Sequence, residues 1–146
     1  MDGTGTLVAT GEIGPKPFIY VWDSETCEKK FEWKGIIKKG VACLAFNLDN
    51  TKLVAAAIDD DHYVGVFDLT NGKAISFVGG KEVIVDVFWI AESSFISIGI
   101  KHFKLWNSTG DTYKGETGQF GKGNNILSGI ELVGNSVIIG AATGDL

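Results

Sequence analysis

Cysteine and proline are scarce in this chain of 146 residues, with two of each. Neither Cys27 nor Cys43 has the close-spaced second sulfur that zinc or redox motifs need. Both are expected to be buried free thiols. No run approaches the roughly 18 consecutive apolar residues of a membrane span, and residues 1–10 hold neither the basic region nor the apolar block of a secretory signal. The expectation is a cytoplasmic protein without a membrane span. Positive charge is also short: 13 Lys and Arg face 18 Asp and Glu, for a net charge of -5. That balance argues against sequence-independent nucleic-acid binding, which needs a dense basic surface to displace counterions from phosphate. Helical spacing of apolar residues is sustained nowhere, so almost no helix is expected.

What is present is an all-β rhythm. Twenty glycines punctuate short runs rich in Val, Ile, Phe and Trp. The runs predict strands at residues 6–10, 18–22, 41–46, 53–57, 64–67, 74–78, 83–89, 95–98, 103–106, 126–132 and 136–140. Asn71-Gly72 supplies the positive φ angles of a tight hairpin, and Asn107-Ser108-Thr109 reads as a turn. Phe18-Ile19-Tyr20-Val21-Trp22 and Val83-Ile84-Val85 are apolar on successive residues, which predicts strands buried on both faces.

Self-similarity separates a sandwich from a propeller. Trp22-Asp23, Phe67-Asp68 and Trp106-Asn107 each close an apolar strand and open a polar turn, at spacings of 45 and 39 residues. A four-stranded propeller blade repeats at about 40 to 45 residues. The aromatic is suited to filling the gap between blades, and the following Asp or Asn to bonding the backbone of the turn it begins. The expected architecture is therefore an incomplete β-propeller of roughly three to four blades. Strands b, c and d of one blade fall at about 6–33, full blades at about 41–78 and 84–115, and strands a and b of another at about 126–140. An open ring predicts exposed apolar faces at both ends and self-association through them unless further blades are supplied.

With those repeats in place, the chain resembles the WD-repeat family and, within it, the echinoderm microtubule-associated protein-like proteins. The resemblance rests on Ala9-Thr10-Gly11 followed by Pro17-Phe18-Ile19-Tyr20-Val21-Trp22-Asp23, and on Lys39-Gly40-Val41 with Leu44-Ala45-Phe46. More specific are Asp59-Asp60-Asp61-His62 ahead of Val66-Phe67-Asp68, the segment from Gly99-Ile100-Lys101-His102 to Trp106, and Gly118-Gln119-Phe120-Gly121-Lys122. Phe67 stands where the family has tryptophan, Asn107 where it has aspartate, and the Gly-His dipeptide of other WD repeats is absent. Those departures count against the family's Asp-His-Ser-Trp bonding network. The resemblance implies a piece of the family's first propeller, located on the cytoskeleton and binding tubulin or microtubules. An adaptor propeller assembling a ciliary or signalling complex is the alternative, and an enzyme the least favoured reading.

No cofactor, metal ligand or catalytic residue is assigned. Asp59, Asp60, Asp61 and His62 are the densest titratable set, but neighbours in one turn point different ways and no second cluster has ligand spacing, so a solvated turn tip is favoured over a partner contact or a metal site. His62 and His102 sit just ahead of the aromatic strand ends, as if at equivalent places where an imidazole bonds a backbone carbonyl. Lys34, Lys38 and Lys39 belong to a basic stretch interleaved with Phe31, Trp33, Ile36 and Ile37, which reads either as a solubilising edge or as a partner contact. Gly3-Thr4-Gly5-Thr6 and Gly121-Lys122-Gly123 lack the further glycines and Ser/Thr of phosphate loops.

Overall fold

The computed structural model describes residues 1–119, 126–133 and 136–141. All regular structure among them is strand. β1 (Leu7–Gly11), β2 (Phe18–Asp23) and β3 (Lys29–Lys34) form the first sheet. β4 (Val41–Phe46), β5 (Lys52–Ala57), β6 (Tyr63–Asp68) and β7 (Ala74–Val78) form the second. β8 (Ile84–Ala91), β9 (Ser94–Gly99), β10 (His102–Ser108) and β11 (Tyr113–Thr117) form the third, and β12 (Ile126–Val133) pairs with β13 (Ser136–Ala141). Every pairing is antiparallel between strands consecutive in sequence. The sheets stack face to face as blades of an incomplete β-propeller. Phe120, Gly121 and Lys122 of the expected connector lie outside the described residues.

Alternation within each strand builds three inter-blade cores among the described residues, the third setting Ile96 and Ile98 against Val137 and Ile139 of β13. Between the first and second blades, Ile19, Val21 and Trp33 meet Leu53, Ala55, Ala57 and Phe67, with Ile37 from the connection. Between the second and third, Val54, Ala56, Val64 and Val66 meet Trp89, Phe95, Trp106 and Tyr113. The second blade is thus buried on both faces, and β5 and β6 carry continuous burial along their length.

One aromatic step recurs at the first two seams. Trp33 on β3 packs on Phe67 of β6 at a centroid distance of 4.9 Å, and Phe77 on β7 packs on Trp106 of β10 at 4.9 Å. Trp33 and Phe77 occupy matching places, since Trp33 pairs with Ile19 and Phe77 with Val64, each three residues before the strand aromatic. Trp33 Nε1 also donates to the carbonyl of Gly72 (2.8 Å), and Trp89 Nε1 to that of Ala45 (3.1 Å), so each indole that crosses a seam has its polar edge satisfied. Gly65 is required here. A Cβ on it would lie 2.9 Å from the Phe67 ring.

Three expectations change. Val83-Ile84-Val85 is not buried on both faces: only Ile84 is in the core, because side chains alternate about it and Val83 and Val85 face outward. Cys27 is exposed, in a turn with φ 58°, while Cys43 is half-buried and its thiol is pushed up to about 12 by burial. In Phe18–Trp22, Ile19 and Val21 are buried against the second blade, whereas Phe18, Tyr20 and Trp22 form a stacked stripe on a face with no described sheet against it. Lys34 and Lys29 lie over that stripe, at 4.3 Å from the Phe18 centroid and 5.5 Å from that of Tyr20.

Phe67 is fully buried at a seam, so truncating it removes contacts on two blades at once. Phe67→Ala is expected to cost about 3–5 kcal/mol in chemical denaturation, against less than about 1 kcal/mol for the exposed Val78→Ala.

Candidate interaction rim

Antiparallel order sends the turns β1–β2, β5–β6 and β9–β10 to the same end of the blades as the connections β3–β4 and β7–β8. Backbone bonds lock them side by side on this rim. Gly14 N donates to Lys39 O (3.0 Å), Ile58 N to Gly40 O (3.1 Å), Gly79 N to His62 O (3.0 Å) and Ile100 N to Val83 O (3.1 Å). The opposite rim carries the acidic turns around Asp23, Asp49, Asp68 and Asp111. Asp23 and Asp68 each accept two backbone N–H groups of their own turns; these hold the Asp23 carboxyl below the usual range, and the Thr70 hydroxyl together with them does the same for Asp68. Asn107, expected to cap its turn in the same way, instead accepts the Ser94 hydroxyl at 2.7 Å. Asp2 was not singled out by sequence, yet its buried carboxylate holds Leu7 N at 3.0 Å, as Asn47 holds Lys52 N at 2.7 Å. The shared five-residue offset, visible once the strands are aligned, is the signal that marks it.

The candidate contact residues gather on the first rim in an uneven way. Lys39 bonds Asp60 at 2.6 Å, and Lys38 lies 4.6 Å from the Tyr63 centroid, which brings the connection β3–β4 onto the β5–β6 turn. Lys34 stands apart at the end of β3 over Phe18. Asp60 and Asp61 are exposed. Asp59, grouped with them as a solvated tip, is buried instead. Its Oδ1 accepts Tyr63 N at 3.1 Å and closes the turn, and its Oδ2 has no partner. Among the described residues no group of three or more His, Cys, Asp and Glu could hold a metal ion.

The two histidines are not equivalent. Counted from the strand aromatics, His62 matches Lys101, and both have positive φ (45° and 54°). His102 matches Tyr63. His62 Nδ1 is buried without a partner. His102 Nε2 lies 2.7 Å from Ser97 Oγ, which also accepts Trp106 Nε1 at 2.8 Å, so the ring bonds a side chain and not a backbone carbonyl. A His-Ser-Trp network therefore does form in the third blade. In the first blade Trp22 Nε1 donates to Thr10 Oγ1 at 3.0 Å, from the matching strand position. In the second blade that pair is Phe67 and Ala55. The indole donor and hydroxyl acceptor are lost together, which leaves no buried polar group unpaired. Burial pushes the His102 imidazole down to about 4, with Lys104 adding to the effect, so it is neutral at pH 7.

Face-to-face antiparallel blades, joined by aromatic seams and open as a ring, make this chain part of a WD-type β-propeller. It aligns with solved propellers: the Myceliophteria thermophila Cps50 (Swd1) β-propeller domain at TM-score 0.65 and 17% identity, covering 80% of this chain and 35% of that one. The WD40 repeats of RRP9 align at TM-score 0.62 and 18% identity, over 82% and 39% of the two chains. No family model matches the chain. The ciliary WD repeat-containing protein ctxp80 of Euplotoides octocarinatus is 33% identical over 127 residues, 83% of this chain and 18% of that protein. Within the WD class the chain resembles the echinoderm microtubule-associated protein-like proteins. Echinoderm microtubule-associated protein-like 2 of Mus musculus is 27% identical over 98% of this chain and 24% of that protein. The 77 kDa echinoderm microtubule-associated protein of Strongylocentrotus purpuratus is 26% identical over 95% and 22%. The chain spans a quarter or less of the length of these relatives.

Ser97→Ala strands the Trp106 indole and the His102 nitrogen, and is expected to cost about 2–3 kcal/mol. In a double-mutant cycle, Ser97→Ala with Trp106→Phe should cost less than the two single changes summed, by about 1 kcal/mol. The His102 linkage has a definite sign. Its folded pKa lies below the ordinary value of 6.5, so the unfolded chain binds the extra proton first. Stability from this group is complete above pH 6.5, falls as pH drops from 6.5 to about 4, and levels off below that, a loss on the order of 3 kcal/mol. Urea melts across that range should show a flatter dependence in His102→Asn than in the parent.

Proposed function

We propose that this chain is a non-catalytic, cytoplasmic interaction scaffold of the cytoskeleton, binding tubulin or microtubules through the rim that carries Lys34, Lys38, Lys39 and the Asp60-Asp61-His62 turn. The observation that carries the reading is the placement of these lysines. In a chain of net charge -5, Lys38 and Lys39 lie together against the β5–β6 turn and Lys34 stands at the end of β3 on the same rim. Two are steadied by aromatic rings and one by Asp60, which lowers the conformational entropy lost on binding. An acidic partner surface complements such a patch and gains orientation and association rate from it. Relatives named as microtubule-associated over most of this chain's length support tubulin as that surface. Asp59 acts from beneath, closing the turn that presents its neighbours.

The 33% identical relative named as a ciliary WD repeat protein favours a second reading, an adaptor in a ciliary complex. A tubulin pull-down at two salt concentrations separates the two. Wild type is expected to bind at low salt and to weaken as salt rises. A Lys34→Glu, Lys38→Glu, Lys39→Glu variant should retain its circular dichroism spectrum and bind at least about 10-fold more weakly. Absence of binding by folded wild type rejects tubulin and leaves the adaptor reading.

A further inference from the structure

A separate feature of the same rim lies in the third blade. Between the β7–β8 connection and the start of β10 is a cavity of about 260 Å³, walled by Gly80, Lys81, Lys101, His102, Lys104 and Thr117, with Glu82 as the carboxylate on its wall. Lys81 and Lys101 are exposed, and neither is paired with a carboxylate among the described residues. Lys104 is fixed in place: its Nζ donates to the Gly79 carbonyl at 2.7 Å and sits 5.3 Å from the Trp106 ring centroid. Gly80, at φ 151°, leaves the room, since a Cβ there would fall 3.2 Å from Lys104 Nζ.

The buried network behind the cavity determines what His102 offers it. Ser97 Oγ accepts the Trp106 N–H and has one proton of its own, for which His102 Nε2 is the acceptor at 2.7 Å. With the hydroxyl donating, the ring carries its proton on Nδ1. That atom faces Gly80, 3.7 Å from where a side chain on it would begin. The cavity accordingly combines three ammonium groups, an imidazole N–H, a hydroxyl and one carboxylate. Donors and positive charge are in excess, and a singly charged carboxylate ligand would leave part of that charge unmatched.

We propose that this cavity is an oxyanion site for the phosphoryl group of a phosphorylated Ser or Thr in a partner peptide. A phosphomonoester carries about -1.5 to -2 charge at neutral pH and three strongly accepting oxygens. Three lysines less Glu82 match that charge, and His102 Nδ1–H and the Thr117 hydroxyl supply neutral donors to orient the oxygens. The site is independent of whether the lysine rim of the first two blades holds tubulin.

The test is an NMR titration of the full chain, following the Gly80 amide and the His102 ring nitrogens, with inorganic phosphate as the first probe. The second probes are three short Gly/Ser peptides bearing a central phosphoserine, serine or glutamate. Saturable shifts at Gly80 and His102 are expected with phosphate and with the phosphopeptide, the latter binding at least about 10-fold tighter than the serine and glutamate peptides. Lys81→Glu with Lys101→Glu, both on the surface, should keep the parent's backbone spectrum elsewhere and weaken phosphopeptide binding by about 10-fold or more. Lys114→Glu, on the outer strand β11, should leave it unchanged. Absence of saturable shifts, or equal binding by the double variant, overturns the site. Equal affinity for the glutamate peptide overturns the phosphoryl assignment.

Discussion

Stacking of an outer-strand aromatic onto the closing aromatic of the next blade is the contact on which the other features depend. A four-stranded antiparallel sheet has two faces and cannot bury both alone, so each blade is stable only against its neighbours. Trp33 on Phe67 and Phe77 on Trp106 set the distance and rotation from one blade to the next. Small residues beneath the rings, such as Gly65 and Ala55, make that approach sterically feasible. Because the rings are rigid and span the seam, the turns at either end of the blades are held in register, and the rims become continuous surfaces.

Buried polar groups follow the aromatics. Where the strand aromatic is tryptophan, a hydroxyl stands two residues along on the neighbouring strand to accept its N–H: Thr10 for Trp22 and Ser97 for Trp106. Where it is Phe67, the matching position is Ala55. Donor and acceptor are thus present or absent together in the three blades, and in the third, where the bond is buried, either one alone would be left unpaired out of reach of water. In the third blade the same hydroxyl also reaches His102, and the network extends from the seam to the rim, where it fixes a proton on the outward nitrogen.

The two rims differ in charge, although the lysine rim also carries Asp60, Asp61 and Glu82. Aspartates on one rim are spent on their own turns, accepting backbone N–H groups at Asp23 and Asp68. On the other rim Lys34 and Lys38 lie over rings and Lys81, Lys101 and Lys104 line a cavity, none of the five with a carboxylate partner among the described residues. A net charge of -5 therefore describes neither surface, which is why an acidic chain is compatible with recognition of an acidic or phosphorylated partner.

Strand content, blade period and the closing aromatics Phe67 and Trp106 were legible in the residues, because period-2 burial and the recurrence of an aromatic before Asp or Asn are local properties, whereas Trp33 and Phe77, which stack on them, were not. The exposed outer strands β3 and β11 were the weakest signals, having few apolar positions. Pairing geometry decided the rest. Alternation about Ile84 turned Val83 and Val85 to solvent, and a one-residue offset between the turns separated His62 from His102. Burial of Asp59, exposure of Cys27, and the meeting of Lys81 and Lys101 at one cavity likewise lay beyond sequence. Local pattern determines which faces of a strand want to be buried. Only tertiary structure determines which turn lies against which connection, because those contacts join residues of successive repeats through register and stacking, and neither is encoded at any single position.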